Sequence, residues 1–253
     1  MYEDLKQKLI DAGRILYAEG LGDYVAGHIS LRLPDNPGRF LMKPAGIGIE
    51  EMSQSNIIIV DLDGMKVEGA SNRHNEVFIH SEVLRARPEI NSVVHAHPIH
   101  TVAFSSLGRE LRAVGNDGTV FHGGVPVFSE TTDLITTSER GKAVANTLKN
   151  RPALILRNHG IVATGASVQE SVWMSLKLEK ACKTQMLAEA ARGPKLFVKD
   201  EDVADKQKKS LRQDLFDNAF DYALRNFKRT YCACCLDKED VVGPSTFKAS
   251  PGG

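Results

Sequence analysis

The chain has 253 residues, 42% apolar and 25% charged, ordinary values for a globular protein built around one large domain. Its 32 Lys and Arg balance its 32 Asp and Glu, so no charge excess points to nucleic acid or to an anionic membrane surface. No apolar run approaches the roughly 18 residues that cross a bilayer, and the acid-bearing N-terminus resembles neither a signal nor a transit peptide.

Leu5, Leu9, Ile10, Ala12, Ile15 and Leu16 recur with a helical period and predict a helix over 3–19, stopped by Gly20 and Gly22. Residues 28–33 ("HISLRL"), 39–44 and 56–64 read as strands, the last ending in an Asp-Gly turn. A helix is expected over 75–87, closed by Pro88, then a strand over 91–97 and a short helix after Pro98. Residues 125–128 read as a strand, 138–150 as a capped helix, and 153–158 and 160–165 as two strands turned against each other. The longest helix is expected over 167–192, with Ser167 as N-cap, Glu170 completing a capping box and Gly193-Pro194 as the stop. Residues 195–213 are charged and lack an apolar stripe, and 214–228 form one more helix. The expected organisation is one domain over 1–228 and a C-terminal tail over 229–253, partly disordered. Strands in the first two thirds with helices between them predict an α/β fold of three α/β/α layers. Tight turns between strands predict a mixed, largely antiparallel central sheet rather than a doubly wound one. Cys182 sits alone in a helical pattern, and Cys232, Cys234 and Cys235 crowd near the end. This is no disulfide framework, and a cytoplasmic location is expected.

All eight histidines lie between residues 28 and 159. The stretch "NSVVHAHPIH" (91–100) puts His95 and His97 two apart on a strand, so both rings share a face. His159 opens the turn in "LRNHG" after another apolar strand. If the two strands are neighbours, three imidazoles converge, and a catalytic metal site keeps one position open beside three protein ligands. Ligand type does not fix the ion: Zn2+ or Mn2+ is expected, with Fe2+ and Co2+ also compatible. Glu76, at the start of the helix before the histidine strand, can serve as a fourth ligand, as the acid/base, or as both in turn. Any one of these histidines alone reads as a satisfied core residue; the set together reads as a metal site.

These residues resemble the class II aldolase/adducin superfamily over about 5–192. The matching stretches are "GHISLR" (27–32), "FLMKPAGIGIEEM" (40–52), "IIIVDLDG" (57–64), "NEVFIHSEVLRARPEINSVVHAHPIHTVAFS" (75–105) and "LILRNHGIVATGASVQESV" (154–172). The resemblance implies metal ligands at His95, His97 and His159, an acid/base at Glu76, and a homotetramer with active sites near subunit interfaces. The sugar-phosphate aldolases of this family hold phosphate with a Gly-Asn turn, a Thr-Gly pair and serines before the glutamate. Here those positions read Gly27-His28, Ala45-Gly46 and His74-Asn75, and a dianion stripped of its donors is costly to desolvate. The substrate-binding set is therefore expected to be His28, Arg73, His74, Asn75 and Gly46, with Arg157 nearby and Asp23 and Tyr24 before the first turn, and the substrate a small molecule without a phosphate. The Gly-His-Ile-Ser form is similar to the branch holding metal-dependent decarboxylases of hydroxylated aromatic or pyridine dicarboxylates. Two alternatives remain: aldol cleavage of a non-phosphorylated or acidic hydroxy-ketone, and a non-catalytic adducin-like scaffold.

His80 either packs or supports Glu76, and His100 either lines the pocket or caps a helix. His122 is a candidate donor behind the ligands, from a loop over 117–128. Trp173 and Met174 suit core or inter-subunit packing. Tyr222 and Tyr231 lie where related enzymes send a tyrosine into a neighbour's site, and no role is carried to them.

Overall fold

The computed structural model describes residues 2–194 and 196–231. Eight strands form one sheet: β1 (His28–Arg32), β2 (Arg39–Met42), β3 (Ile58–Asp61), β4 (Lys66–Glu68), β5 (Ser92–Ala96), β6 (Val127–Phe128), β7 (Ala153–Leu156) and β8 (Gly160–Gly165). Their order is β4-β3-β2-β1-β5-β8-β7-β6. Every neighbouring pair is antiparallel except β6 with β7, so the sheet is mixed and largely antiparallel. The helices are α1 (Glu3–Leu16), α2 (Val77–Ala86), α3 (Ile99–Ser105), α4 (Asn116–Thr119), α5 (Ser138–Leu148), α6 (Val168–Ala190), α7 (Asp200–Ser210) and α8 (Gln213–Tyr231). No described helix is long and apolar enough to cross a membrane.

Side chains alternate between the two faces of a strand, and here each face is covered. On one side Ile29, Val94, Ala96, Ile161 and Ala163 pack with Leu9 and Ile15 of α1, Leu178 of α6 and Phe216 of α8. On the other, Phe40, Val93, Leu154 and Val162 pack with Val77 and Val83 of α2 and with Val144 and Leu148 of α5. The result is three layers, α/β/α. β5 is buried at all five residues, which is why it reads as a continuous apolar run rather than an alternation. Burying each such Val or Leu is worth about 1.5–3 kcal/mol, so a register slip that exchanged the faces of β5 is strongly disfavoured. That register sets His28 opposite His95 and Ser30 opposite Val93, so His28, Ser30 and His95 all look toward α2 and α5.

Several expectations are corrected. α1 ends at Leu16, and a wider turn continues through Tyr17–Leu21 with Gly20 at φ 82°. Only Val127–Phe128 of residues 125–128 form a strand. β4 follows the Asp61–Gly64 turn as a fully exposed edge strand with no apolar alternation to betray it. α7 emerges from the charged stretch, with Asp200, Glu201 and Asp202 in its first turn and Lys208 and Lys209 in its last. That arrangement favours the helix dipole, and with one buried residue, Val203, it leaves no stripe to read. At α6, Ser167 Oγ accepts the Glu170 N–H at 3.1 Å, whereas the Glu170 carboxylate takes the N–H of Ala166 at 2.7 Å rather than that of Ser167. Cys232, Cys234, Cys235 and the remainder of the tail lie outside the described residues.

Candidate metal centre

β5 delivers His95 one residue before its end, and His97 follows directly. β8 starts alongside, with Ile161 opposite Ala96, and His159 stands in the turn that feeds it. In that turn Asn158 takes a left-handed φ of 56° and its N–H is held by Ser105 Oγ at 2.8 Å. Gly160 is required by space: a Cβ there would lie 2.4 Å from the Ala96 oxygen and 2.8 Å from His97 Cδ2. Only glycine lets β8 begin against the end of β5 with the His97 ring in place.

The three rings meet. Their centroids are 4.8, 5.0 and 5.2 Å apart, and one nitrogen from each lies within 4.8 Å of the others. His95 Nδ1 donates to the Ile161 carbonyl at 2.9 Å, and His97 Nδ1 donates to Asp23 Oδ2 at 2.9 Å. A neutral imidazole carries one N–H, and both rings spend it outward. Their Nε2 atoms are 3.0 Å apart; with one N–H per ring two lone pairs would meet there, and a cation between them would relieve the repulsion. Burial, then the neighbouring His97 and His159, holds His95 well below the usual imidazole range. Burial, then His97, pushes His159 down to about 4. Imidazoles whose far nitrogens are tied to a carbonyl or carboxylate, as those of His95 and His97 are, suit zinc and similar ions, so the donor set fits a divalent metal.

Glu76 is the residue before α2, yet its carboxylate does not cap that helix. Oε1 accepts the Ile135 N–H at 2.9 Å and lies 3.7 Å from His159 Nε2. Oε2 lies 3.7 Å from His95 Nε2 and 3.9 Å from His28 Nε2. With 5% of the residue exposed, burial raises its carboxyl above the ordinary value, against the opposing pull of the Ile135 N–H.

Of the expected substrate-binding residues, His28 and His74 stand beside this cluster. Their rings are 4.3 Å apart, and His28, Glu76 and His95 form a second group of converging donor atoms. Burial, then Lys43, pushes His74 down to about 4. Asn75 is exposed. Gly46 is exposed at φ 83°, and open space surrounds its missing side chain. The Arg73 guanidinium lies over Phe78 and donates to the His74 carbonyl at 3.0 Å. Arg157 is exposed.

The structure also gives partners to residues outside these sets. Asp23, which the sequence marks merely as preceding a turn, orients His97 across 74 positions. Lys43 is fully buried with Nζ on the Val25 carbonyl at 2.9 Å, and burial pushes it down to about 8. His80 bonds to His28 and to Ser30. His100 is tied to Glu179, whose carboxylate also takes the backbone N–H groups of His100 and Thr101 at the start of α3. His122 is exposed and lines a surface cavity with Leu111, Phe121 and Phe197. Met174 is buried, Trp173 packs on Phe216, and Tyr222 and Tyr231 are exposed.

An end-of-sheet cluster of three imidazoles and a buried carboxylate, on a mostly antiparallel sheet between two helical layers, defines a recognisable class. Residues 7–186 match the Class II Aldolase and Adducin N-terminal domain, and the chain belongs to that family. It is 32% identical to a 3,4-dihydroxyphthalate decarboxylase of Arthrobacter keyseri, over 77% of this chain and 82% of that protein. It is 30% identical to an L-fuculose phosphate aldolase of Escherichia coli O6:H1, over 79% of this chain and 91% of that protein. Among solved structures, the L-fuculose 1-phosphate aldolase from Glaciozyma antarctica PI12 superimposes with a TM-score of 0.79 at 30% identity, covering 89% of this chain and 88% of that one.

Proposed function

We propose that this protein is a divalent-metal-dependent carbon–carbon lyase, and that it decarboxylates a hydroxylated aromatic or heteroaromatic mono- or dicarboxylate. The observation that carries the metal is the convergence of one nitrogen each from His95, His97 and His159 within 4.8 Å, with the Nε2 atoms of His95 and His97 3.0 Å apart and their Nδ1 atoms bonded to the Ile161 carbonyl and to Asp23. His159 is the third ligand, and Zn2+ or Mn2+ suits the set. A divalent cation held there supplies a Lewis acid for the electron pair left when the carbon–carbon bond breaks.

The protein's own groups supply the rest. Burial raises the Glu76 carboxyl, which favours its protonated form nearer neutrality. The Ile135 N–H holds Oε1 and leaves Oε2 on the side of His28 and His95. Glu76 then hands a proton to the ring carbon from which carbon dioxide departs, and regains it from solvent. His28 and His74 bind anionic oxygens of the substrate, with Arg73, Asn75 and Gly46 around the mouth. The decarboxylase reading is supported by the loss of the hydroxyl donors a phosphate would need and by the likeness to the Arthrobacter keyseri protein. The likeness to aldolases favours, as the second reading, cleavage of an unphosphorylated hydroxy-ketone. We include a homotetramer in the proposal: Tyr24, 92% exposed, and Val25 flank the Asp23 that holds His97, and a second copy of the chain would cover them.

The test is elemental analysis of protein purified without chelator, followed by a panel of hydroxylated dicarboxylates with carbon dioxide detection. One metal per chain and carbon dioxide release are expected. An aldehyde product in place of carbon dioxide selects the aldolase reading, and metal-free, inert protein selects a scaffold.

A further inference from the structure

Behind Glu76 lies a buried chain of hydrogen bonds that ligates nothing. Ser30 Oγ is 2.7 Å from His80 Nδ1, and His80 Nε2 is 2.6 Å from His28 Nδ1. His28, Ser30 and His80 are each fully buried. At its end His28 Nε2 has no hydrogen-bond partner among the described residues and faces Glu76 Oε2 at 3.9 Å. An unpaired polar atom in such a place is costly, so what it is aimed at matters.

The direction of the chain follows from counting protons. Each neutral ring has one N–H, and burial pushes His80 down to about 3, keeping it neutral. Suppose His28 Nδ1 donates to His80. His80 Nδ1 must then donate to Ser30, the Ser30 hydroxyl proton has no acceptor among the described residues, and a bare His28 Nε2 faces a carboxylate oxygen. Suppose the reverse. Ser30 donates to His80 Nδ1, His80 Nε2–H donates to His28 Nδ1, and His28 presents Nε2–H toward the carboxylate. The first arrangement strands a buried proton and sets a lone pair against an anion; the second gives the Ser30 proton an acceptor and turns an N–H toward the carboxylate, 3.9 Å away and free to take a ligand.

We propose that Ser30 and His80 lock His28 as an N–H donor aimed into the pocket beside Glu76, there to grip an anionic oxygen of the substrate. His28 is thereby an anion-binding imidazole and not a metal ligand, although its Nε2 lies near those of the metal-binding rings. Ser30 and His80 act as positioning residues, through His28. The substrate role deepens the lyase reading and rests on it, whereas the proton's location does not.

Histidine-selective 15N spectra of the metal-free and zinc-loaded protein, assigned with His28→Gln and His80→Gln, read the tautomers directly. A proton on His28 Nε2 and a bare Nδ1 are expected in both states; a proton on Nδ1, or a zinc-induced shift showing direct ligation of Nε2, overturns the proposal. Ser30→Ala should mix the two His28 tautomers and Ser30→Thr should restore the single one, while an unmixed spectrum in Ser30→Ala removes Ser30 from the role. In zinc competition, His28→Gln should hold affinity within about twofold of wild type. Loss of a hydrogen bond to a charged oxygen is worth about tenfold to a hundredfold, which should appear in KM for His28→Ala and be partly regained in His28→Gln. Unchanged KM in His28→Ala overturns the substrate role alone. The tautomer is read without turnover, so a failed lyase reading and a failed lock give different results.

Discussion

Two groups of imidazoles lie side by side where the central strands β1 and β5 pair, and they are wired in opposite senses. In the outer group, His95 and His97 donate through Nδ1 to Ile161 and Asp23 and turn their Nε2 atoms toward each other. In the inner pair, His80 and His28 stand in a relay from Ser30 that ends on an unpartnered nitrogen. His28 and His95 are direct cross-strand neighbours, share a face and are equally buried. What differs is the partner of the other ring nitrogen. A carbonyl or carboxylate behind a ring suits it to ligate a metal, and a donor behind it suits it to donate.

The comparison is broken most severely at the outer group. His95→Ala, His97→Ala or His159→Ala should each lose most of the bound metal and nearly all activity, roughly a thousandfold or more, since the Lewis acid leaves with its ligands. Metal content measured beside kcat checks it; full metal with His97→Ala would remove that ring from the site. Glu76→Gln should retain the metal and lose turnover by about 10²–10⁴-fold, the range for a general acid/base. Wild-type turnover in that variant would remove Glu76 from the proton transfer. Smaller still is Asp23→Asn, which removes the anion behind His97 and frees the ring to take the wrong tautomer. Such changes weaken metal binding by about 10–100-fold, and competition with a chelator measures it. His97 metal affinity untouched by Asp23→Asn would mean the contact only tethers the turn.

The same wiring explains what was legible in the sequence. The spacing of two in His95-Ala96-His97 states a shared face outright, and the apolar run before it states burial. The three-layer architecture followed from alternation along strands and from the apolar period and Ser167 cap of α6. The meeting of His159 with the other two rings needed the β5–β8 register, set by long-range pairing, and a gap where Gly160 has no side chain. Asp23, Ser30 and Lys43 carried no local signal: an Asp before a turn, a Ser in a strand and a Lys beside a Pro have many ordinary uses. Their roles come from partners 18 to 74 residues away. α7 and β4 were missed for a related reason, as neither buries enough apolar surface to leave a period.

The mildest expected effect sharpens the inner pair. Burial pushes His80 down to about 3 in the folded chain, against about 6.5 when exposed. Below pH 6.5 the unfolded chain therefore binds a proton that the folded chain refuses, and stability falls as the pH drops toward 3. One such group contributes a slope of about 1.4 kcal/mol per pH unit. Urea midpoints of metal-free protein between pH 6 and 4 measure the slope, and metal-free protein is needed because a bound cation competes for the outer rings. Replacing His80 with Gln should remove about one linked proton and flatten the curve by that amount, whatever it does to stability at pH 7. An unflattened curve would mean that His80 takes up its proton while folded, which would undo the direction assigned to the relay and, with it, the contrast between the two groups of rings.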